Sequence, residues 1–316
     1  MMKPILLPIL AATAAATDLL LPLYQYPANN GGAWSPIEQA MTANPSLTFK
    51  VIINPNNGPG GPGQGIDDPQ YAAGTKALAS HPNAQLIGYV HTSTDWGATR
   101  CNVPWPSITA DIKRWATWPA RGVAIKGIFI DEAPVNTAND CVAYMRNLTT
   151  FLRTDPDVVR AFGTNKPIIV FNPGGVGALQ PYYDLQPDLI VALETCFVVP
   201  ARAGGGGTYD DQCSPAGGYE RYDHDGVGSS LDNVVFPSVG RANAARTAVL
   251  VHGFHDFNGP AANMSATVGV LGQLIRGVVQ RKIGATFFNT AGYHTFTDGP
   301  ASIGAAASAL RAANGA

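Results

Sequence analysis

The strongest constraint on this chain is a recurrence of eight short apolar runs, separated mostly by segments of helical character. The runs are 19–26, 48–54, 85–91, 125–131, 167–172, 189–195, 248–253 and 285–289. Each is nearly continuous in aliphatic and aromatic residues, as a strand covered on both faces must be. Between them, Ser35 before Pro36, and Asp67 or Asp68 before Pro69, read as helix caps followed by a proline at the first helical position. Segment 107–118 carries Ile108, Ile112 and Trp115 near helical spacing, with Trp115 and Trp118 expected to pack inward. Segment 139–153 reads as a helix followed by a proline-containing stop, 264–281 as the longest helix, and 301–313 as the last. Such alternation argues for βαβ units and a parallel sheet. Eight units, with no GxGxxG after the first run, favour an α/β fold of the (β/α)8 TIM-barrel class over an open doubly wound sheet.

Residues 1–17 read as a signal peptide or an N-terminal extension. Lys3 precedes an apolar run that ends in small residues, although Pro4 and Pro8 interrupt it. Residues 18–316 read as one barrel domain with a Gly- and Asp-rich insert at about 196–238, long enough to be a functional loop or lid. No other stretch reaches the about 20 apolar residues of a membrane span. Charged residues make up 13% of the chain, the net charge is -2, and there is no Lys/Arg cluster, so nucleic acid is not an expected partner. The four cysteines, Cys101, Cys141, Cys196 and Cys213, show no zinc spacing, and neither a metal nor a cofactor is expected. Four cysteines allow three pairings. Cys101–Cys141, tying the loops after the third and fourth strands, and Cys196–Cys213, closing the insert, are the expected ones. Sequons at Asn147 and Asn263 and the even cysteine count fit a secreted or cell-surface protein, expected as a monomer.

The polar residues at the end of each apolar run carry the chemistry. The runs end in Tyr24 and Tyr26, Asn54, His91, Asp131 with Glu132, Asn172, Glu194, His252 and Asn289. In a parallel barrel these ends converge on the C-terminal face, where barrel enzymes hold their active sites. Asp131-Glu132 comes directly after four core residues, and Glu194 closes another core run. Adjacent buried acids push at least one pKa upward, which suits acid–base work. Glycosidic cleavage needs two carboxyl groups, one protonated and one ionised, and these three residues are the expected catalytic set. Strand-end caps or loop salt bridges are the plainer alternative. Tyr24, Tyr26, Asn54, His91, Trp96, Asn172, His252 and Asn289 are candidates for binding substrate, with His294 and Trp105 as further possibilities. Sugar rings stack their C–H faces on such aromatics. There is no GxSxG nucleophile elbow and no HExxH.

Several motifs occur in an order that resembles the spherulin-4 family. They are Leu19-Leu20-Leu21-Pro22-Leu23-Tyr24-Gln25-Tyr26-Pro27, the stretch 49–60 with Ile52-Ile53-Asn54-Pro55-Asn56-Asn57-Gly58-Pro59-Gly60, Ile87-Gly88-Tyr89-Val90-His91-Thr92, the stretch 127–133, Phe171-Asn172-Pro173-Gly174, and the run ending in Glu194. The resemblance extends to about His294. It implies a (β/α)8 barrel, and for fungal members endo-hydrolysis of α-1,4-linked N-acetylgalactosamine in galactosaminogalactan, a cell-wall and biofilm polysaccharide. It maps the family's acid pair onto Asp131 and Glu132 and its later acid onto Glu194. A polysaccharide is thus the expected partner. A non-catalytic polysaccharide-binding or cell-surface protein is the alternative.

Overall fold

The computed structural model describes residues 16–95, 99–134, 139–163, 166–175, 180–197, 222–223, 225–254, 267–289 and 300–315. Eight strands appear where the apolar runs predict them: β1 (Asp18–Leu23), β2 (Phe49–Ile53), β3 (Ala84–His91), β4 (Ile125–Asp131), β5 (Ile168–Phe171), β6 (Leu189–Cys196), β7 (Thr247–His252) and β8 (Ala285–Phe288). Every neighbouring pair is parallel, and β8 pairs back onto β1, so the sheet closes as a (β/α)8 barrel. The seam is short, with Asp18 opposite Ala285 and Leu19 opposite Thr286. Beside it, Thr17 N donates to Asn314 Oδ1 at 3.0 Å, and Asn314 Nδ2 donates back to the Thr17 carbonyl at 2.9 Å.

The helices among the described residues are α1 (Ser35–Ala43), α2 (Pro69–Ala79), α3 (Trp105–Trp115), α4 (Asn139–Thr154), α5 (Pro156–Phe162), α6 (Gln180–Tyr183), α7 (Phe236–Val239), α8 (Val268–Gln280) and α9 (Ile303–Asn314). Asp68 caps α2 as expected, its carboxylate accepting from Gln70 N at 2.7 Å. Ser35 does not cap α1. A 3-10 turn over Gly32–Trp34 runs straight into that helix, so Ser35 is already inside it. The proline after α4 is not a stop either. Asp155 accepts from the backbone of Asp157 and Val158, and Pro156 opens α5.

Helix faces and sheet bury one continuous core. Trp115 and Trp118 lie wholly inside it with ring centroids 4.3 Å apart. Gly88 makes room for the first of these rings, since a Cβ there would fall 2.5 Å from the Trp115 indole. Part of the expected insert is packed structure: a π-helical turn over Leu231–Val235 leads into α7, and Leu231, Val235, Phe236 and Val239 are buried. Cys101 and Cys141 form the expected disulfide, with Cα atoms 5.5 Å apart. Cys196 is disulfide-bonded as well, and Cys213 lies outside the described residues. No described helix is long and apolar enough to cross a membrane.

The two strands that carry the acids share a device. Pairing slips by one residue at Lys126 in β4 and at Ala192 in β6. Such bulges re-aim the side chains beyond them. Immediately after the first slip, Gly127 passes so close to β5 that a Cβ would lie 2.0 Å from the Ile168 carbonyl oxygen.

Candidate active site

The barrel brings Asp131 at the end of β4, Asn172 just past β5, Glu194 in β6 and His252 at the end of β7 into one cluster. Asn172 is its hub. Its Nδ2 donates to Asp131 Oδ1 at 2.9 Å and to Glu194 Oε2 at 2.8 Å. The two carboxylate oxygens are therefore no farther apart than those two bonds laid end to end. Asn172 is itself fixed, because its Oδ1 accepts from Gly174 N at 3.1 Å and its backbone N–H donates to the Ile130 carbonyl at 2.9 Å.

Asp131 has a donor for each oxygen besides that amide. The Tyr89 hydroxyl donates to Oδ2 at 2.7 Å, and the Glu132 backbone N–H donates to Oδ1 at 2.8 Å. Burial pushes the Asp131 carboxyl up to about 7, with the Glu194 charge adding to the rise and the Tyr89 hydrogen bond opposing it. Asp131 therefore holds its proton to near-neutral pH. Glu194 and His252 are buried, with His252 Nε2 lying 2.8 Å from Glu194 Oε1. Tyr24 packs edge-on against Tyr89 at 5.9 Å, and burial together with the Asp131 and Glu194 charges raises its hydroxyl well above the ordinary tyrosine value.

Glu132 faces a second group. Its backbone is left-handed at φ 52, and its carboxylate Oε2 lies 3.5 Å from His91 Nδ1. That nitrogen also lies 2.6 Å from the Ser93 carbonyl, which can only accept, so Nδ1 carries the hydrogen. The Glu132 carboxylate is the main reason His91 holds its proton above the usual histidine range, against the effect of burial.

Other expected binding residues make different contacts. Asn54 uses Oδ1 to accept from Gly58 N at 2.9 Å, which shapes the loop after β2. Tyr26 is 48% exposed, leans on Tyr71 and donates its hydroxyl to Asp68 at 2.9 Å, toward α2. The Asn289 backbone N–H extends the β7–β8 ladder to the Val251 carbonyl. Trp105 opens α3, partly exposed, edge-on to Tyr144 and Phe151 of α4. Trp96, His294 and the Asn263 sequon lie outside the described residues. Among the described residues no cluster of His, Cys, Asp or Glu is arranged to hold a metal ion. Two residues of the site were not among the sequence candidates. Tyr89 lies on the strand that ends in His91, where its hydroxyl within an apolar run was the available signal. Arg100, in the loop after β3, carried none.

The model of the spherulation-specific family 4 matches residues 18–308. The chain belongs to this family. Among solved structures, this family 4 chain is similar to Aspergillus clavatus Sph3 in complex with GalNAc. The TM-score is 0.67 at 23% identity, over 95% of this chain and 99% of that one. It also resembles a fungal endo-β-N-acetylglucosaminidase of glycosyl hydrolase family 18, with a TM-score of 0.51 at 13% identity over 93% and 97% of the two chains. A broad-specificity endoglucanase from Bacteroides salanitronis gives a TM-score of 0.50 at 13% identity over 96% and 93%. Among curated protein sequences none matches this chain. These neighbours share its barrel.

Proposed function

We propose that this protein is a secreted glycoside hydrolase that cuts within chains of α-1,4-linked N-acetylgalactosamine, as in galactosaminogalactan. The observation that carries this reading is the single Asn172 amide spanning Asp131 and Glu194 at the barrel mouth. Family membership and the GalNAc bound by the Aspergillus clavatus relative support the choice of sugar.

Asp131 acts as nucleophile. Its three hydrogen-bond donors all favour the ionised form and hold its oxygens in place. Glu194 acts as acid and then base, with His252 against its other oxygen. In the first step Asp131 attacks the anomeric carbon. The bond to the leaving oxygen breaks as Glu194 protonates that oxygen, giving a glycosyl-enzyme ester. In the second, Glu194 takes a proton from water, which attacks the same carbon and releases Asp131. Retaining pairs sit about 5–5.5 Å apart and inverting pairs about 6.5–9.5 Å apart. A pair bridged by one amide belongs on the short side, so the anomeric configuration is retained. The 2-acetamido group cannot substitute for Asp131 as nucleophile. In an α-linked GalNAc it lies cis to the leaving oxygen, whereas backside attack needs it trans.

The test is incubation of the purified protein with galactosaminogalactan and mass analysis of the released oligomers. Internal cleavage into N-acetylgalactosamine oligomers, absent with Glu194→Gln, is the expected result. Binding without release of oligomers would replace this reading with that of a non-catalytic polysaccharide-binding protein.

A further inference from the structure

The backbone at the end of β4 and just beyond it is held at every step. The Ile130 carbonyl accepts from Asn172 N at 2.9 Å, the Asp131 carbonyl from Thr92 N at 3.1 Å, and the Glu132 carbonyl from Thr92 Oγ1 at 2.6 Å. The next carbonyl, Ala133, accepts from Arg100 Nη1 at 2.8 Å. The same nitrogen donates to the Pro173 carbonyl at 2.9 Å. Ala133 comes straight after Asp131-Glu132, and Pro173 straight after Asn172. The last ladder bond between these two loops is Ala133 N to the Asn172 carbonyl, at 2.9 Å. Arg100 therefore takes over where the ladder between β4 and β5 ends, and it joins the loop carrying two acids to the loop carrying the amide between the acids.

Arg100 is itself fixed from the side away from the site. Its neighbour Cys101, left-handed at φ 61, is disulfide-bonded to Cys141 in the first turn of α4. On the other side of the disulfide, the Asn102 and Val103 N–H groups both donate to the Thr92 carbonyl. A guanidinium presents fixed, planar donors, so where its base is anchored decides where its two carbonyl partners sit.

We propose that Arg100 is a positioning residue for the reaction, and that the Cys101–Cys141 disulfide serves the active site by anchoring it. The guanidinium sets the spacing between the Asp131-Glu132 loop and the Asn172 loop, and through Asn172 the spacing of Asp131 from Glu194. This inference rests on the assignment of Asp131 and Glu194 as the reacting pair. A misplacement of about 1 Å in a reacting group can cost on the order of 100-fold in rate.

The experiment compares wild type, Arg100→Ala, Arg100→Lys, Cys101→Ser with Cys141→Ser, and the triple variant on galactosaminogalactan oligomers, with Glu194→Gln as the control for the assignment itself. Arg100→Ala should lower kcat about tenfold to 100-fold with KM little changed, and millimolar guanidinium should restore part of the loss. Arg100→Lys should recover some of it, as a single-point donor to the same carbonyls. The disulfide-free protein should lose kcat in the same way, and the triple variant should be no slower than the slower of its parents, because both changes act through one contact. Wild-type kcat in Arg100→Ala, or equal loss in Arg100→Lys with no guanidinium rescue, would overturn the proposal, as would strictly multiplicative losses in the triple variant. A decrease confined to melting temperature would reduce Arg100 to a structural brace. Full activity in Glu194→Gln would instead reject the reacting pair, and is told apart from failure of the Arg100 proposal by that variant alone.

Discussion

His252 Nε2 and Glu194 Oε1 face each other at 2.8 Å, with both side chains buried at the barrel mouth. The geometry allows a proton to pass either way along that contact, which an acid that must become a base can use. His252→Gln keeps a donor near the same point but cannot take up a proton, and His252→Ala removes the contact. A hydrogen bond to a charged group contributes about 1.5–3 kcal/mol, so kcat/KM should fall about tenfold in the first and 100-fold in the second. Calorimetric binding of GalNAc should change little. Equal activity in all three proteins would detach His252 from catalysis.

Replacing the carboxylates directly is the stronger test. Asp131→Asn and Glu194→Gln preserve shape, so circular dichroism should match wild type. Turnover should drop by about 100- to 10,000-fold in Glu194→Gln, the range for loss of acid–base help, and by no less in Asp131→Asn, which loses the nucleophile.

The raised carboxyl of Asp131 gives a pH dependence. The folded value for Asp131, about 7, lies above its ordinary 3.8, so the native state holds this proton where the unfolded chain has lost it. The stabilisation from that bound proton is complete below the unfolded value and is lost as pH rises through about 7. Denaturant titrations should therefore show Asp131→Asn gaining on wild type between pH 5 and pH 8, by on the order of 1–3 kcal/mol. Because Asp131 must be ionised to attack, the pH profile of kcat/KM should fall on its acid side near pH 7. A flat difference in stability across that window would contradict the burial argument.

Tyr89→Phe isolates one component of this balance. The hydroxyl that donates to Asp131 Oδ2 at 2.7 Å lowers the carboxyl value, so its removal raises it. The acid limb of the activity profile should move to higher pH, and kcat should fall about tenfold through loss of a charge-assisted bond. A limb that stays in place or moves down would show that the bond does not control this titration.

Gly127→Ala probes the frame instead of the chemistry. Its Cβ would meet backbone oxygen 2.0 Å away on β5, and no side-chain rotation relieves a backbone clash. Forcing β4 from β5 should cost at least about 3 kcal/mol and abolish soluble folded protein. A chain that expresses and melts like wild type would contradict the close approach.

Much of this was legible in the sequence because barrel strands are apolar on both faces. All eight runs became strands, and the polar residues that end them marked the mouth, with Asp131, Asn172, Glu194 and His252 meeting there. The features that stayed hidden each have a physical reason. Tyr89 sits two residues before the end of β3 and reads as core until its hydroxyl is seen on Asp131. Arg100 binds backbone carbonyls, which every residue has, so its partners leave no trace in the sequence. Asn54 and Tyr26 occupy the mouth end of their strands, but their hydrogen bonds shape a loop and contact α2. A strand end fixes which rim a residue reaches, not the direction of its side chain.

The paired hydrogen bonds between Thr17 and Asn314 span 297 positions of chain. That distance governs the order of assembly. As the polypeptide emerges, β1 is made first and can pair with β2, but its other edge has no neighbour until β8 is made, and no latch until α9 is. Until then the strand bearing Leu19, Leu20 and Leu21 presents an open, apolar, hydrogen-bonding edge of the kind that recruits wrong partners. Contacts this distant along the chain also form slowly. The ring thus passes through a late, vulnerable stage, when seven staves are standing and the eighth is still missing. Chains halted before Ile303 should remain protease-sensitive however long they are left to fold.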